Sequence, residues 1–171
     1  MLPAIERLLK QRTAPDRHHV SILVLSPTRE LAQHIAKESV SIVAGRRSIE
    51  VQCVVGGTNM QTEAARFDKN RIDILVATPD RLIDHIRDSN LGPRFKFLQC
   101  LVLDEADRLL DQGFMPAIQT ILGSLPDRNT RPRQTLLFSA TLPEKVKMLS
   151  SAALLPTYRY ISTISETEQS T

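Results

Sequence analysis

The chain has 171 residues, 42% of them apolar and 24% charged, which suits one globular domain with a real core. Its 22 basic and 19 acidic residues leave a net charge of +3, compatible with nucleic acid but shared by many unrelated soluble proteins. The absence of Trp, with two Tyr and five Phe, argues against an aromatic platform that stacks successive bases. No apolar run approaches the ~18 residues that span a bilayer, so no membrane partner is expected.

From the N-terminus, Leu2, Ile5, Leu8 and Leu9 share one face of a helix within Met1–Gln11. With Glu6 in it and no cleavage signal, this stretch reads as a core helix rather than a targeting peptide. Strand-like runs and helix-period segments then alternate. The order is strand Val20–Leu25, helix Thr28–Ala44 with Gly45 as its stop, strand Ile49–Val55 and helix Thr58–Phe67. Strand Ile72–Ala77, helix Asp80–Asp88, strand Leu98–Leu103 and helix Arg108–Leu125 follow. Strand Thr135–Phe138, helix Glu144–Ala153 and a short strand Tyr158–Ile161 close the series.

The runs are apolar on consecutive rather than alternate residues, as strands buried on both faces should be. Pro27, Pro79 and Pro143 stand at or near helix starts, where a missing N–H costs nothing. The alternation predicts an α/β fold, a mostly parallel sheet flanked by helices. Cys53 and Cys100 sit in apolar runs without C-x-x-C spacing and read as core thiols of an intracellular, reducing compartment; cytoplasm, nucleus and mitochondrion are not distinguished. His18, His19, His34 and His85 lack cysteines at metal-ligand spacing, so no zinc site is expected. Asp127–Pro132 reads as a polar, basic loop, and 162–171 as a frayed tail or the start of a linker.

Five strands release small, polar or charged residues at their carboxyl ends. After Leu25 come Ser26-Pro27-Thr28-Arg29-Glu30; after Val55, Gly56-Gly57-Thr58; after Ala77, Thr78-Pro79-Asp80-Arg81. After Leu103 come Asp104-Glu105-Ala106-Asp107, and after Phe138, Ser139-Ala140-Thr141. In a parallel sheet these ends share one rim, where open α/β folds bind ligands. Two adjacent carboxylates leaving a buried strand are costly unless a cation or a reaction needs them, although an Asp-Glu pair can also be a helix cap. Helix N-termini, hydroxyls and arginines bind phosphate, and glycines let a backbone approach closely. Taken singly, the Pro-Thr-Arg, Gly-Gly and Thr-Pro turns are equally readable as helix caps with solvated arginines.

Taken in order, these motifs resemble the ATPase core of DEAD-box RNA helicases. The resemblance rests on Pro27-Thr28-Arg29-Glu30-Leu31, Gly56-Gly57, Thr78-Pro79-Asp80-Arg81, DEAD at Asp104–Asp107 and SAT at Ser139–Thr141. It implies a RecA-like domain of the phosphate-loop NTPase type, spanning residues 1–161. It implies that Asp104 holds Mg²⁺ through water, and that Glu105 orients and deprotonates the attacking water. It implies that Ala106, Asp107, Ser139, Ala140 and Thr141 couple ATP state to RNA grip. Pro27, Thr28, Arg29, Gly56, Gly57, Thr78, Pro79 and Arg81 would hold an RNA backbone without reading bases. One position departs from the family: Asp80 stands where Gly is usual, and either faces phosphate or turns away to cap its helix. Arg128, Arg131 and Arg133 could touch nucleic acid, but a solvated loop explains them as well.

No G-x-x-x-x-G-K-[ST] loop occurs, and no Gly is followed by Lys. Leu2-Pro3-Ala4-Ile5 resembles the second half of the helix after that loop. The expectation is therefore a partial first RecA-like domain, lacking the phosphate-loop strand, the adenine-reading segment and the second domain. The function implied is a fragment of an ATP-dependent RNA helicase, using ATP and Mg²⁺ in the intact enzyme and inactive alone. A non-catalytic RNA- or protein-binding module, or a truncated gene model that does not fold alone, are the alternatives.

Overall fold

A computed structural model describes residues 1–10, 19–45, 49–127 and 130–163. Five four-residue strands run parallel in one sheet: β1 (Ile22–Leu25), β2 (Val51–Val54), β3 (Ile74–Ala77), β4 (Cys100–Leu103) and β5 (Gln134–Leu137). Their spatial order is β2-β3-β1-β4-β5. Ile22 lies opposite Ile74 on one side and Cys100 on the other. The three central strands are buried at every position, whereas β2 and β5 are partly open edges.

Helices α1 (Leu2–Lys10), α2 (Arg29–Val43), α3 (Met60–Lys69), α4 (Pro79–Asp88), α5 (Ala106–Asp111), α6 (Met115–Ser124) and α7 (Glu144–Ala153) cover the sheet. A 3₁₀ helix at Gly92–Phe97 precedes β4. The alternation of side chains along each strand sorts the apolar residues into two cores. Ile22, Val24, Ile74, Val76, Cys100 and Val102 pack against α1 and α2. Leu23, Leu25, Leu75, Ala77, Leu101 and Leu103 pack on the other face against residues of α3 to α7. Both faces are buried, which is why these runs carry no polar alternation. Truncating a fully buried leucine such as Leu101 to alanine should cost about 2–5 kcal/mol.

Two expected elements differ. The helix expected over Arg108–Leu125 is two helices, because Gly113 adopts φ 81° and stops α5. Phe114 N–H bonds Leu109 O and Gly113 N–H bonds Leu110 O, both at 3.0 Å, the Schellman closure that a left-handed glycine permits. Tyr158–Ile161, expected as a strand, is unpaired, with Tyr160 and Ile161 62% and 80% exposed. A strand exists only where a neighbour completes its ladder, and β5 has β4 alone beside it among the described residues. In the basic loop, Arg128 lies outside the described residues. Arg131 Nη1 donates to Lys96 O at 3.2 Å and Arg133 Nη1 to Pro126 O at 2.6 Å, so both tie down local backbone. The free cysteines are shielded, with burial pushing the thiols of Cys53 and Cys100 up to about 11. No described helix is long and apolar enough to cross a membrane.

Candidate functional site

The carboxyl ends of the strands are stitched at one level. Thr78 N–H bonds Val54 O at 3.2 Å, Ser26 N–H bonds Ala77 O at 3.0 Å, Asp104 N–H bonds Leu25 O at 3.0 Å and Phe138 N–H bonds Leu103 O at 2.9 Å. Each turn thus begins hydrogen-bonded to the end of the next strand. The motifs at strand exits are brought to one rim by the parallel ladder.

At the β4 end, Asp104 is half-buried, and its Oδ1 accepts the Glu105 N–H at 3.1 Å. Burial raises its carboxyl above the ordinary range, and the neighbouring Glu105 charge adds to this. Glu105 occupies the left-handed region at φ 47°, ψ 56°, a conformation that costs an L-residue about 1–2 kcal/mol. Its carboxylate Oε2 lies 3.1 Å from Arg108 Nη1. The turn is held from β5: Ala106 N–H donates to Phe138 O at 2.9 Å. Asp107 N–H donates to Ser139 Oγ at 3.2 Å. Thr141 returns two bonds to Asp107 Oδ2, from N–H at 3.0 Å and from its hydroxyl at 2.8 Å. Partial burial works to raise the Asp107 carboxyl, but the Thr141 and Arg108 donors outweigh it and hold the group low. DEAD and SAT are therefore one hydrogen-bonded unit bridging two adjacent strands.

The second group lies along β1, β2 and β3. Pro27 is buried, and Thr28 caps α2 by accepting Leu31 N–H on Oγ1 at 3.2 Å. Arg29 is exposed and lies over the glycine doublet. A Cβ at Gly57 would stand 2.6 Å from Arg29 Nη1, and one at Gly56 would stand 3.0 Å from Nη2. Gly57 also needs φ 86°. The doublet thus provides the space in which the guanidinium rests. Thr78 and Pro79 begin α4 and are buried, and the Thr78 side chain makes no cap bond. Asp80 is exposed in the first turn of α4, but Thr78, not Asp80, is the N-cap residue. Arg81 is largely enclosed: Nε donates to Glu63 Oε2 at 2.8 Å and Nη2 to Thr58 O at 2.7 Å.

A family model described as DEAD/DEAH box helicase matches residues 1–149. The chain belongs to this family. It is 44% identical to DEAD-box ATP-dependent RNA helicase 26 of rice, over all of this chain and 31% of that protein. It is 42% identical to the mitochondrial ATP-dependent RNA helicase mss116 of Aspergillus oryzae, over all of this chain and 27% of that protein. The chain thus spans about a third of the length of these relatives. Among solved structures, it resembles Mss116p bound to ssRNA and AMP-PNP, with TM-score 0.78 and 34% identity over 90% of this chain and 31% of that one. The yeast DEAD-box splicing factor Prp28 matches with TM-score 0.79 and 30% identity, over 90% of this chain and 35% of that one. The five-stranded parallel sheet is accordingly that of a RecA-like helicase domain.

In this helicase domain the sequence reading gave no role to Glu63 or Ser89 and took His85 only as one of four histidines without a zinc site. A signal was available. Glu63 interrupts the apolar face of α3 between Met60 and Phe67, and His85 does the same in α4 between Leu82 and Ile86. A charged residue on a core-facing stripe is buried and needs a partner. Here the two residues are each other's partner, with His85 Nε2 2.7 Å from Glu63 Oε2.

Proposed function

We propose that this chain forms the catalytic-carboxylate and RNA-gripping part of the first RecA-like domain, residues 1–161, of an ATP-dependent RNA helicase. The observation that carries this reading is the hydrogen-bonded junction of Asp107 with Ser139 and Thr141, on the same rim as the Arg29–Gly56–Gly57 cradle. One element bridges the strand end bearing Asp104 and Glu105 to the next, so a shift at the nucleotide side is passed to the neighbouring backbone. Bound ssRNA and AMP-PNP in the similar Mss116p structure support the same reading.

In this proposal Asp104 would hold Mg²⁺ through water, as the resemblance implies, and the ion would supply neutralisation of phosphate charge. The fit rests on the half-buried Asp104 carboxylate at the end of β4. Mg²⁺ commonly keeps several waters and takes one or two carboxylates plus substrate phosphates. Glu105, the left-handed residue that follows Asp104, orients the attacking water and accepts its proton. Pro27, Thr28, Arg29, Gly56, Gly57, Thr78 and Pro79 address the sugar-phosphate backbone of RNA, independent of base sequence, with Arg81 enclosed behind them on the same rim. Ala106, Asp107, Ser139, Ala140 and Thr141 make up the segments that couple ATP state to RNA grip. The free cysteines, Cys100 buried and Cys53 partly so, fit a reducing compartment.

The 171 residues contain no loop to hold phosphates in line, and positioning carries most of phosphoryl-transfer catalysis. The chain alone is expected to bind RNA without turning over ATP, until the phosphate loop and a second RecA-like domain join it. The test is ATP hydrolysis by the purified chain, with and without single-stranded RNA. Turnover that survives purification and disappears in Asp104→Ala would overturn the proposal that this part is inactive alone.

A further inference from the structure

We propose that Glu63 is the positioning residue of the RNA rim, and that Arg81 acts through this carboxylate as a brace rather than as a ligand of phosphate. The inference rests on the RNA-binding reading above.

The Glu63 side chain is 4% exposed and stands at the centre of a polar network between α3 and α4. Its Oε2 accepts from Arg81 Nε at 2.8 Å and lies 2.7 Å from His85 Nε2. Its Oε1 lies 2.5 Å from the Thr58 hydroxyl, which also lies 2.7 Å from Val55 O. Arg81 Nη2 then reaches past the carboxylate to Thr58 O at 2.7 Å. Thr58 is thereby held at its hydroxyl and at its carbonyl, directly after the glycine doublet. His85 is fixed in turn: Nδ1 is 3.0 Å from Ser89 Oγ, and the ring packs edge-on against Phe67.

A carboxylate in such a place is costly to bury, and well-packed apolar residues often replace such buried ion pairs without loss of stability. What the charged group supplies is a defined position for the loop. The exposed Arg29 rests on that loop and stays free to meet a phosphate. Arg81 has two of its three guanidinium nitrogens committed inside the protein, and its side chain is only 11% exposed. A residue so enclosed can set the geometry of a phosphate site without contributing a released counterion. That distinction is measurable, because each phosphate ligand on single-stranded nucleic acid adds about 0.7 to the slope of log affinity against log salt.

The experiment compares wild type, Arg29→Ala, Arg81→Gln, Glu63→Gln and the Glu63→Gln/Arg81→Gln double variant. Binding of a fluorescein-labelled oligouridylate is followed by anisotropy across salt concentrations. Amide hydrogen exchange at Gly57, Thr58 and Asn59 is measured without RNA. Arg29→Ala should flatten the salt slope by about 0.7. Glu63→Gln and Arg81→Gln should each weaken binding about five- to tenfold at every salt concentration, with the slope unchanged, and speed loop exchange about tenfold. The double variant should be no more than about twofold worse than either single one, because both remove the same brace.

Flattening of the slope by Arg81→Gln to the same extent as Arg29→Ala would make Arg81 a phosphate ligand and overturn the proposal. So would unchanged loop exchange in Glu63→Gln. If wild type fails to bind RNA, the RNA reading fails, while the exchange data still decide whether the brace exists. Should Glu63→Gln not fold, as judged by its thermal melt, Thr58→Val removes one link of the same network and serves in its place.

Discussion

Replacing Gly57 with alanine should weaken RNA binding out of proportion to its effect on the fold. Gly57 has φ 86°, and a left-handed backbone costs an L-residue about 1–2 kcal/mol. Part of that is offset by the smaller unfolded-state entropy of alanine, about 0.4–1 kcal/mol, leaving a net loss near 0.5–1 kcal/mol. Gly113 provides the control, since it has φ 81° but open space around its absent Cβ. Gly113→Ala should therefore show the backbone strain alone. At Gly57 the new Cβ would also meet Arg29 Nη1 at 2.6 Å, so the guanidinium must leave its seat. Displacing a side chain off its rotamer adds about 0.5–1.5 kcal/mol. The melting temperature should fall by about 2–4 °C per kcal/mol. Loss of one charge-assisted contact, about 1.5–3 kcal/mol, lowers RNA affinity tenfold or more. The assays are thermal unfolding and anisotropy of a labelled single-stranded RNA, applied to Gly57→Ala, Gly113→Ala and Arg29→Ala. Arg29→Ala added to Gly57→Ala should cost no further affinity. Equal RNA binding by Gly57→Ala and Gly113→Ala would refute the idea that the doublet exists to seat Arg29.

Three further outcomes follow from the same geometry. Thr141→Val should destabilise the domain by about 1 kcal/mol at neutral pH, a figure discounted because the contact is partly solvated. Since Thr141 lowers the Asp107 carboxyl from its ordinary 3.8, the stability it confers is present above that value and lost as pH falls through the lower folded one. Chemical denaturation at pH 7 and near pH 2.5 should thus show the difference shrinking in acid, and a pH-independent difference would contradict the assignment. Asp80→Gly should raise RNA affinity, up to about fivefold if the exposed carboxylate stands ~4 Å from a phosphate, while loosening the first turn of α4. Equal affinities across salt concentrations would remove the electrostatic argument. Finally, β5 pairs with β4 alone among the described residues, and the adjoining Phe138 is 54% exposed. The chain by itself should self-associate in sedimentation, and a polypeptide carrying the phosphate-loop strand should restore a monomer. A monomer with one sharp unfolding transition, unchanged by that polypeptide, would refute this.

The α/β class was legible because it depends on local pattern. A strand buried on both faces must be apolar at consecutive positions, and the central runs at Ile22–Leu25, Ile74–Ala77 and Cys100–Leu103 are so. Helix starts at Thr28 and Pro79 were equally visible, since a hydroxyl cap or a missing N–H is settled within one turn. The DEAD and SAT motifs were readable for the same reason, as short contiguous stretches.

Periodicity, however, reports that a face is buried and not what buries it. The order β2-β3-β1-β4-β5, the meeting of Asp107 with Thr141 and the contact of Glu63 with Arg81 and His85 join residues far apart in sequence. Gly113 shows the limit within one segment: only the closure of Phe114 and Gly113 onto the preceding turn distinguishes a helix stop from a glycine inside a helix. Tyr158–Ile161 shows it between segments, for its β-like composition forms no strand without a neighbour to complete the ladder. Propensity and motif are properties of a few adjacent residues, whereas the partner of a buried carboxylate or an open strand is chosen by the packing of the whole chain.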